Sequence, residues 1–277
     1  MTTTEQLLDA VASGIRVYDL ARPMRAGMPQ SPNHPKFSLT MPRRHGDSVR
    51  ADGGSAANDM LVMGTHVGTH IDALGHVSHN GELHGGTSAA DAQAGGRLAS
   101  HGIDEFPPTL CRGVLLDVPS ALGEDVCEPG YEITIDDLEA TVASQGTVIH
   151  PGDVVLVRSG WGLHWDDTDT YRGLQSGVPG VGEAGAKWIA AAGARAAGAD
   201  TIAFECLPPG QGHALLPAHR VLLVEHGIHI VETMMLDELA ADRVHEFLFV
   251  VAPLPLVGAT GSPVRPLAVV GAGAERP

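Results

Sequence analysis

Three histidines and an aspartate lie within eleven residues, in the stretch His66-Val-Gly-Thr-His-Ile-Asp-Ala-Leu-Gly-His76. Imidazole nitrogen and carboxylate oxygen are ligands that zinc and manganese accept. Because ligands that are close in sequence need little loop closure to meet, this cluster predicts a divalent-metal site. The alternative is that these histidines are only hydrogen-bonded, as most single buried histidines are. Chance seldom produces His-x-x-x-His-x-Asp with glycines between and a further histidine four residues on.

The spacing of the cluster requires a bend in the chain. In an extended segment from Met60 to Asp72, alternate side chains share one face, which places His66, His70 and Asp72 together. A straight strand would hold His66 and His70 about 13 Å apart, too far for one ion with bonds of about 2 Å. Gly64 and Gly68 permit a bend, because glycine accepts backbone angles closed to other residues. A helical turn would equally bring positions i and i+4 together.

The same stretch is similar to the His-x-Gly-Thr-His-x-Asp-x-x-x-His signature of the cyclase-like metal-dependent hydrolases. That family includes bacterial kynurenine formamidases, isatin hydrolase and a metal-dependent dienelactone hydrolase. The resemblance extends over nearly the whole chain, through residues 18–37, 152–161, 199–205, 217–236 and 253–270. It implies a swivelling β/β/α-type α/β fold with a mixed sheet, in a single domain over residues 1–277, and a homodimer or homotetramer.

The resemblance also implies roles for individual residues. His66, His70 and Asp72 would bind the metal, with His76 beside it as catalytic acid or base or as a ligand of a second ion. Family members with two zincs use a later histidine and glutamate, and His219 and Glu232 stand at the matching places. The residues alone would place His219 on a surface helix and Glu232 in solvent.

Other candidate residues concern the substrate. Glu205 follows an apolar segment, where open α/β sheets place ligand-binding groups, or it is a buried structural carboxylate. It precedes Cys-Leu-Pro-Pro-Gly-Gln-Gly-His, where the formamidases have aspartate-containing segments. Trp161, with His164 and Trp165, forms either an aromatic wall for a planar substrate or part of the core. Cys206 is either a nucleophile or, more commonly for such residues, a small buried thiol.

Hydrolysis is the chemistry that such a site favours. A bound zinc lowers the pKa of its water from about 15.7 to roughly 7, and the resulting metal-bound hydroxide can attack an amide, cyclic imide or lactone/ester carbonyl. His76 would supply the leaving group with a proton, because imidazole titrates near neutral pH. Two alternatives remain at this point: a metal-dependent cyclase or dehydratase acting on a biosynthetic intermediate, and a non-catalytic metal-binding protein.

The amino-acid composition limits the kinds of molecule that this protein is expected to bind. With 33 acidic and 17 basic residues the formal net charge is −16, and no Lys/Arg run occurs, which argues against nucleic-acid and membrane partners and leaves a small-molecule substrate. No apolar stretch approaches the roughly 20 residues of a membrane span, and the first residues lack the pattern of a secretion signal. Three cysteines without close pairing suit a reducing compartment, so we expect a cytoplasmic protein. No Gly-x-Ser-x-Gly elbow or dinucleotide fingerprint is present.

Hydrophobic patterns predict alternating helices and strands, which is typical of an α/β fold. The predicted helices cover residues 4–12, 135–144 with Thr134 as cap, 183–197 and 218–226. The predicted strands cover residues 58–63, 113–118, 153–158, 200–204, 227–231 and 246–252. No Pro/Ser-rich linker or internal repeat divides the chain, which favours one domain.

Overall fold

The computed structural model describes residues 2–93 and 95–272. Its strands are β1 (Ile15–Asp19), β2 (Ser38–Arg43), β3 (Asn58–Val62), β4 (His70–Asp72), β5 (Thr109–Asp117), β6 (Glu132–Ile133), β7 (Val154–Arg158), β8 (Gly180–Val181), β9 (Ala196–Ala199), β10 (His229–Glu232), β11 (Glu246–Val251), β12 (Gly261–Pro263) and β13 (Leu267–Gly271). Its helices are α1 (Thr3–Ala12), α2 (Ala89–Ala92), α3 (Val118–Leu122), α4 (Ile135–Gln145), α5 (Thr168–Arg172), α6 (Glu183–Ala191), α7 (Pro217–His219) and α8 (Asp237–Ala241). Short 3₁₀ helices cover His84–Gly86, Ile103–Glu105 and Trp161–His164, and a π-helical segment, Arg220–Glu225, continues α7.

Within the described residues one mixed sheet of nine strands has the order β1-β13-β11-β5-β7-β9-β10-β4-β12. The central strands β5, β7, β9 and β10 are parallel, and the flanking strands pair antiparallel. All five residues of β7, Val-Val-Leu-Val-Arg, are buried, as expected for a parallel strand covered on both faces. The predicted α/β class with a mixed sheet is confirmed.

Successive residues of the central strands face two separate cores, because side chains alternate along a strand. Val155 and Val157 pack with α4, α6 and the π-helical segment on one face. Leu156 packs on the other face with residues that include Phe249 and Met234. Burial on both faces fixes the register of the sheet, since a shift by one residue would exchange the two cores.

The sequence predicted most of these elements. The capping box at Thr134 is confirmed: its hydroxyl accepts the N–H of Asp137, and Gly146 ends α4 in the left-handed conformation. The helix predicted at 4–12 and the strands predicted at 58–63, 113–118, 153–158, 227–231 and 246–252 form with shifted ends. The helix predicted at 218–226 forms as α7 and the π-helical segment.

The predicted helix over 183–197 and strand over 200–204 were wrong in their bounds. The helix ends at Ala191, near Gly193 with φ of 78°, and the strand lies earlier, at Ala196–Ala199. Small residues suit this central strand, because a Cβ on Gly198 would lie 2.8 Å from the sulfur of Met234. The Asp200 carboxylate turns inward to accept the backbone N–H of Ser159 at 2.9 Å, so the chain leaves the sheet there.

A hairpin of β2 and β3 lies outside the main sheet, and every residue of both strands is exposed. We call residues 38–62 the arm. Among the helices of residues 2–93 and 95–272, none has the length and apolar character needed to span a bilayer.

Candidate metal centre

The predicted bend in the histidine cluster is present at Gly68, whose φ is 70°. His66 lies in the turn before it, and only His70–Asp72 is extended, as β4. The Thr69 hydroxyl holds the start of β4 in place by donating to the backbone oxygen of Thr233 at 2.7 Å. His70 and Asp72 therefore project from the same face of a short strand, as the alternation of side chains requires.

The antiparallel pairing of β10 with β4 places Glu232 opposite His70. Side chains at directly opposed positions are neighbours, with Cβ atoms about 4.5–5.5 Å apart. The His70 Nε2 lies 3.4 Å from Oε2 of Glu232 and 3.5 Å from Oδ1 of Asp72. The other ring nitrogen of His70 is 2.8 Å from the backbone oxygen of Gly68, which leaves Nε2 facing the two carboxylates.

His219 approaches the same carboxylates from α7. Its Nε2 lies 3.5 Å from Oδ2 of Asp72 and 3.2 Å from Oε1 of Glu232. Its Nδ1 lies 2.6 Å from Oε1 of Glu205, which also accepts the backbone N–H of His219. The second oxygen of Glu205 accepts the backbone N–H of Ala218 at 3.0 Å. Glu205 thus orients the imidazole from behind, as carboxylates do for metal-binding histidines.

The distances within this group fit a bound cation. Two donors on one ion with bonds of about 2.1 Å are about 3.4 Å apart at a tetrahedral angle. His70 Nε2 lies 3.5 and 3.4 Å from one oxygen each of Asp72 and Glu232, and His219 Nε2 lies 3.5 and 3.2 Å from the other oxygen of each. Oδ2 of Asp72 and Oε1 of Glu232 are buried without a hydrogen-bond partner among the described residues. The nitrogen that faces these two oxygens is Nε2 of His219, at 3.5 and 3.2 Å. Buried carboxylate oxygens without a hydrogen bond are costly, and a divalent cation would compensate them.

A second set of donors shares Asp72 with the first. His66, Asp72 and His76 lie within metal-binding reach of one another, as do His70, Asp72 and Glu232. The His66 Nδ1 is 2.7 Å from Oδ1 of Asp72, a hydrogen bond, and its Nε2 is 2.9 Å from the Thr260 hydroxyl. The structure therefore groups His70 with Glu232 and His66 with His76.

A tight turn after β4 brings His76 back to the metal centre. Its backbone N–H bonds to the oxygen of Ala73, and its ring stacks on that of His66 with centroids 3.9 Å apart. Gly75 is required in this turn, since a Cβ there would clash with Leu98 and would lie 2.9 Å from the backbone oxygen of His101. The His76 ring makes no hydrogen bond within residues 2–93 and 95–272, and it lines the cavity.

Burial and mutual charge shift the pKa values of the residues in this centre. Burial lowers the pKa of His70 to about 4 and that of His76 to about 3, so both are neutral at pH 7. Burial raises the pKa of Glu232 to about 7. Burial opposes protonation of His219, but Asp72, Glu205 and Glu232 outweigh it and raise its pKa well above the usual value. Burial also opposes ionisation of Asp72, yet the surrounding histidines hold its pKa well below the usual range.

A cavity of about 190 Å³ opens over these residues. It is lined by His66, His70, His76, His219 and Glu232, and also by two histidines that the sequence interpretation did not single out, His34 and His213. The His34 ring stacks on His66 at 5.3 Å. His34, Thr260 and His213 lie in loops far apart in sequence, and only their polar character in glycine- or proline-rich segments would have marked them.

The two predicted substrate-binding residues do not line this cavity. Trp161 is 1% exposed, packs in a core cluster with Trp165 and Tyr171, and donates its Nε1–H to the backbone oxygen of Tyr171. The structure thus places it in the core, the alternative to an aromatic wall. Glu205 is 1% exposed and lies behind His219. The Cys206 thiol donates to the backbone oxygen of Gly130, and burial raises its pKa to about 11, which is unsuited to a nucleophile.

Comparison with known proteins identifies the family of this chain. The family model described as "Putative cyclase" matches residues 18–206. The chain belongs to the cyclase family. The cyclase-family relatives include a kynurenine formamidase of Geobacillus thermodenitrificans, 27% identical over 78% of this chain and 81% of that protein. An isatin hydrolase of Roseibium aggregatum is 25% identical over 79% of this chain and 77% of its own length.

Solved structures support the fold of this cyclase-family chain. A crystal structure of a novel cyclase superposes with a TM-score of 0.82 at 29% identity, covering 96% of this chain and 93% of the other. The predicted family is thereby confirmed. His219 and Glu232 lie beyond the residues that the family model matches, so their part in the centre rests on the geometry.

Proposed function

We propose that this protein is a metal-dependent hydrolase that cleaves the carbonyl C–N bond of a small amide or cyclic imide, or the C–O bond of a lactone or ester. The observation that carries this is the buried group of His70, Asp72, Glu232 and His219, with donor separations of 3.2 to 3.5 Å at the floor of a cavity. Relatives named as a formamidase and an isatin hydrolase support hydrolysis as the reaction class.

We propose zinc as the resident ion. Two of the four residues are histidines, and imidazole suits zinc better than manganese, which prefers carboxylate and water ligands. The first ion would be held by His70, Asp72 and Glu232, with His219 facing the same carboxylates. A second ion at His66, Asp72 and His76 would have to replace the hydrogen bond between His66 and Asp72, so we expect it to bind more weakly.

A bound divalent ion would polarise the scissile carbonyl and make water acidic enough to act as the nucleophile at neutral pH. The neutral ring of His76, free of hydrogen bonds and facing the cavity, accepts the proton of the attacking water. It then returns that proton to the nitrogen or oxygen that leaves, which would otherwise depart as a poor anion. His66 supports the ring of His76 by stacking, and the Thr260 hydroxyl and Asp72 fix the His66 ring.

The cavity limits the size of the reacting part of the substrate. Its 190 Å³ is below the roughly 300–1,000 Å³ typical of sites for drug-sized ligands. Its walls are rich in imidazole, with Ile202, Ala203 and Leu216 as apolar contributions. A formamide, a small lactone or one ring of a cyclic imide therefore fits better than a peptide or a polymer.

The test combines metal analysis with product analysis. Purified protein is assayed for zinc and manganese by elemental analysis, and then for turnover of formamides, cyclic imides and lactones in ¹⁸O-labelled water. A hydrolase transfers the label to the carboxylate product, whereas a cyclase or dehydratase releases an unlabelled product. Protein that is fully loaded with metal and inert towards all three substrate classes would contradict the proposal in favour of a metal-binding role.

We further propose a homodimer formed through the arm. An isolated two-stranded hairpin is marginally stable in water, yet this one exposes Leu39, Met60, Leu61 and Val62, each more than half exposed. Because side chains alternate along a strand, Met60 and Val62 share one face of the hairpin, and a second copy of the same arm can cover that face by two-fold symmetry. Phe37 precedes the arm and lines a cavity beside the metal centre. Pairing of two arms would therefore also stabilise the position of this lining residue. A small-molecule substrate, without nucleic acid or membrane, remains our proposal for the other partner.

A further inference from the structure

Two histidines in the outer part of the metal-centre cavity have no role in the proposed reaction. His34 and His213 are half-buried and line the same cavity as the buried residues of the centre. Neither ring makes a hydrogen bond or an ion pair with any residue in the described ranges 2–93 and 95–272. A neutral imidazole without a hydrogen bond keeps a free lone pair on one ring nitrogen, and zinc binds to this lone pair. Both side chains are therefore able to bind a divalent ion.

The histidines of this cavity form a series that runs from solvent to the buried centre. The half-buried His34 stacks on His66 with ring centroids 5.3 Å apart. His66 is 8% exposed, and its ring lies 5.2 Å from that of His70, which is 3% exposed. On another wall, His213 belongs to the loop that leads into α7 and His219. Neighbouring rings of the series are close enough for an ion to pass from one to the next by a small displacement.

The burial of the centre makes such intermediate ligands useful. Asp72 and Glu232, which would hold the ion, are only 1% and 5% exposed. A divalent ion is strongly hydrated, and its transfer into a buried site is costly unless protein ligands replace its water. Donors at intermediate depth allow this replacement to proceed in steps. Imidazoles suit zinc, and they are available at this depth in the cavity.

The cavity above the metal centre lacks cationic side chains, unlike the two cavities beside it. One neighbour, of about 410 Å³, carries Lys36 and Arg172 on its wall. The other, of about 530 Å³, reaches His76 from a different side and carries Arg97. Among the described residues no Lys or Arg lines the first cavity, and Glu232 lies on its wall. In a protein with a net charge of −16, a divalent cation is attracted most to the opening that lacks like charge.

We propose that His34 and His213 are entry ligands, which bind the divalent ion transiently on its way between solvent and the buried centre. In each step one imidazole lone pair replaces one water molecule of the ion, and no proton or electron is transferred. His66 receives the ion from His34 and brings it within reach of His70. Neither entry ligand contacts the ion once it is in place. This inference rests on the metal centre of the proposed function and does not depend on the hydrolytic reaction.

The test measures how fast zinc enters and leaves the full chain. Metal-stripped protein is mixed with zinc in a stopped-flow instrument, and free zinc is followed with a chromophoric indicator. Release is followed after zinc-loaded protein is mixed with an excess of the same indicator. His34→Phe keeps a ring that can stack on His66 but has no ring nitrogen, and His213→Gln replaces an imidazole by an amide, which is a poor zinc ligand.

We expect each substitution to slow both entry and release by about 10-fold. The zinc Kd should stay within about twofold of the wild type, because neither residue contacts the bound ion and the ion leaves by the path along which it enters. The matched control is His79→Gln, which removes an exposed histidine outside this cavity and should keep both wild-type rates.

The outcomes separate this inference from the proposed function. Wild-type rates in both variants, with folding verified by circular dichroism and a thermal melt, would overturn the entry route in favour of the opening beside Arg97. A weaker Kd with an unchanged entry rate would make the substituted residue a resident ligand and would overturn its transient role. A wild-type protein that takes up no zinc would overturn the metal centre and the route together. A protein that loads zinc with the expected rates but hydrolyses no substrate would contradict only the proposed function.

Discussion

Replacing Glu205 by glutamine should weaken zinc binding without removing any group that contacts the ion. All three hydrogen bonds of the Glu205 carboxylate come from N–H donors of Ala218 and His219. A glutamine presents one oxygen and one NH₂ group, so one of these donors then faces another donor, at a cost of about 1–3 kcal/mol for the buried group left unpaired. The imidazole of His219 also loses the charge that orients its Nε2 toward Asp72 and Glu232. Loss of such a supporting partner typically costs about 10- to 100-fold in metal affinity.

The assay is a competition of the protein with a chromophoric chelator for zinc at pH 7, together with a thermal melt. Glu183→Gln is the matched control, since it removes a partly exposed carboxylate that pairs with Lys187 of the same helix, α6, and with Arg220 of the π-helical segment. We expect its zinc Kd to equal that of the wild type. A Glu205→Gln protein that is folded and binds zinc within about twofold of the wild type would refute the idea that Glu205 orients the His219 imidazole at the metal centre.

Three further predictions follow from the same centre and from the arm. His76→Ala should keep the first zinc while hydrolysis falls about 10²- to 10⁴-fold, measured by elemental analysis and steady-state kinetics; unchanged turnover would remove His76 from proton transfer. Zinc binding at pH 7 should release about one to two protons into weakly buffered solution, because the raised pKa values of His219 and Glu232 keep protons on them that the ion displaces. Affinity should therefore rise between about pH 5 and 8, and a flat profile would contradict those shifts. Met60→Asp in the arm should convert the dimer to monomer in light scattering, with Asp59→Asn as the neighbouring control; a dimer that persists would place the interface elsewhere.

The sequence predicted several local features of this protein, because each of them depends on residues that are close together in the chain. The cap at Thr134 depends on residues three positions apart, and the five apolar or buried positions of β7 stand in one run. The two elements that were misplaced, near residues 192–204, show the limit of such patterns. Alanine favours helices, but Ala196–Ala199 is a strand because the space between β7 and β10 admits only small side chains.

The sequence by itself determined that a metal centre would form at His66–His76 and that the chain would bend at a glycine, because these ligands are neighbours along one short segment. Only the tertiary structure decided which of the candidate donor side chains lie together. The register of β10 against β4 brings Glu232 to His70, and α7 brings His219 with Glu205 behind it. Tertiary packing likewise placed Trp161 in the core and placed Arg172 and Lys36 on the wall of one cavity. Long-range pairings of this kind depend on which faces are buried together, and spacing along the chain does not encode that.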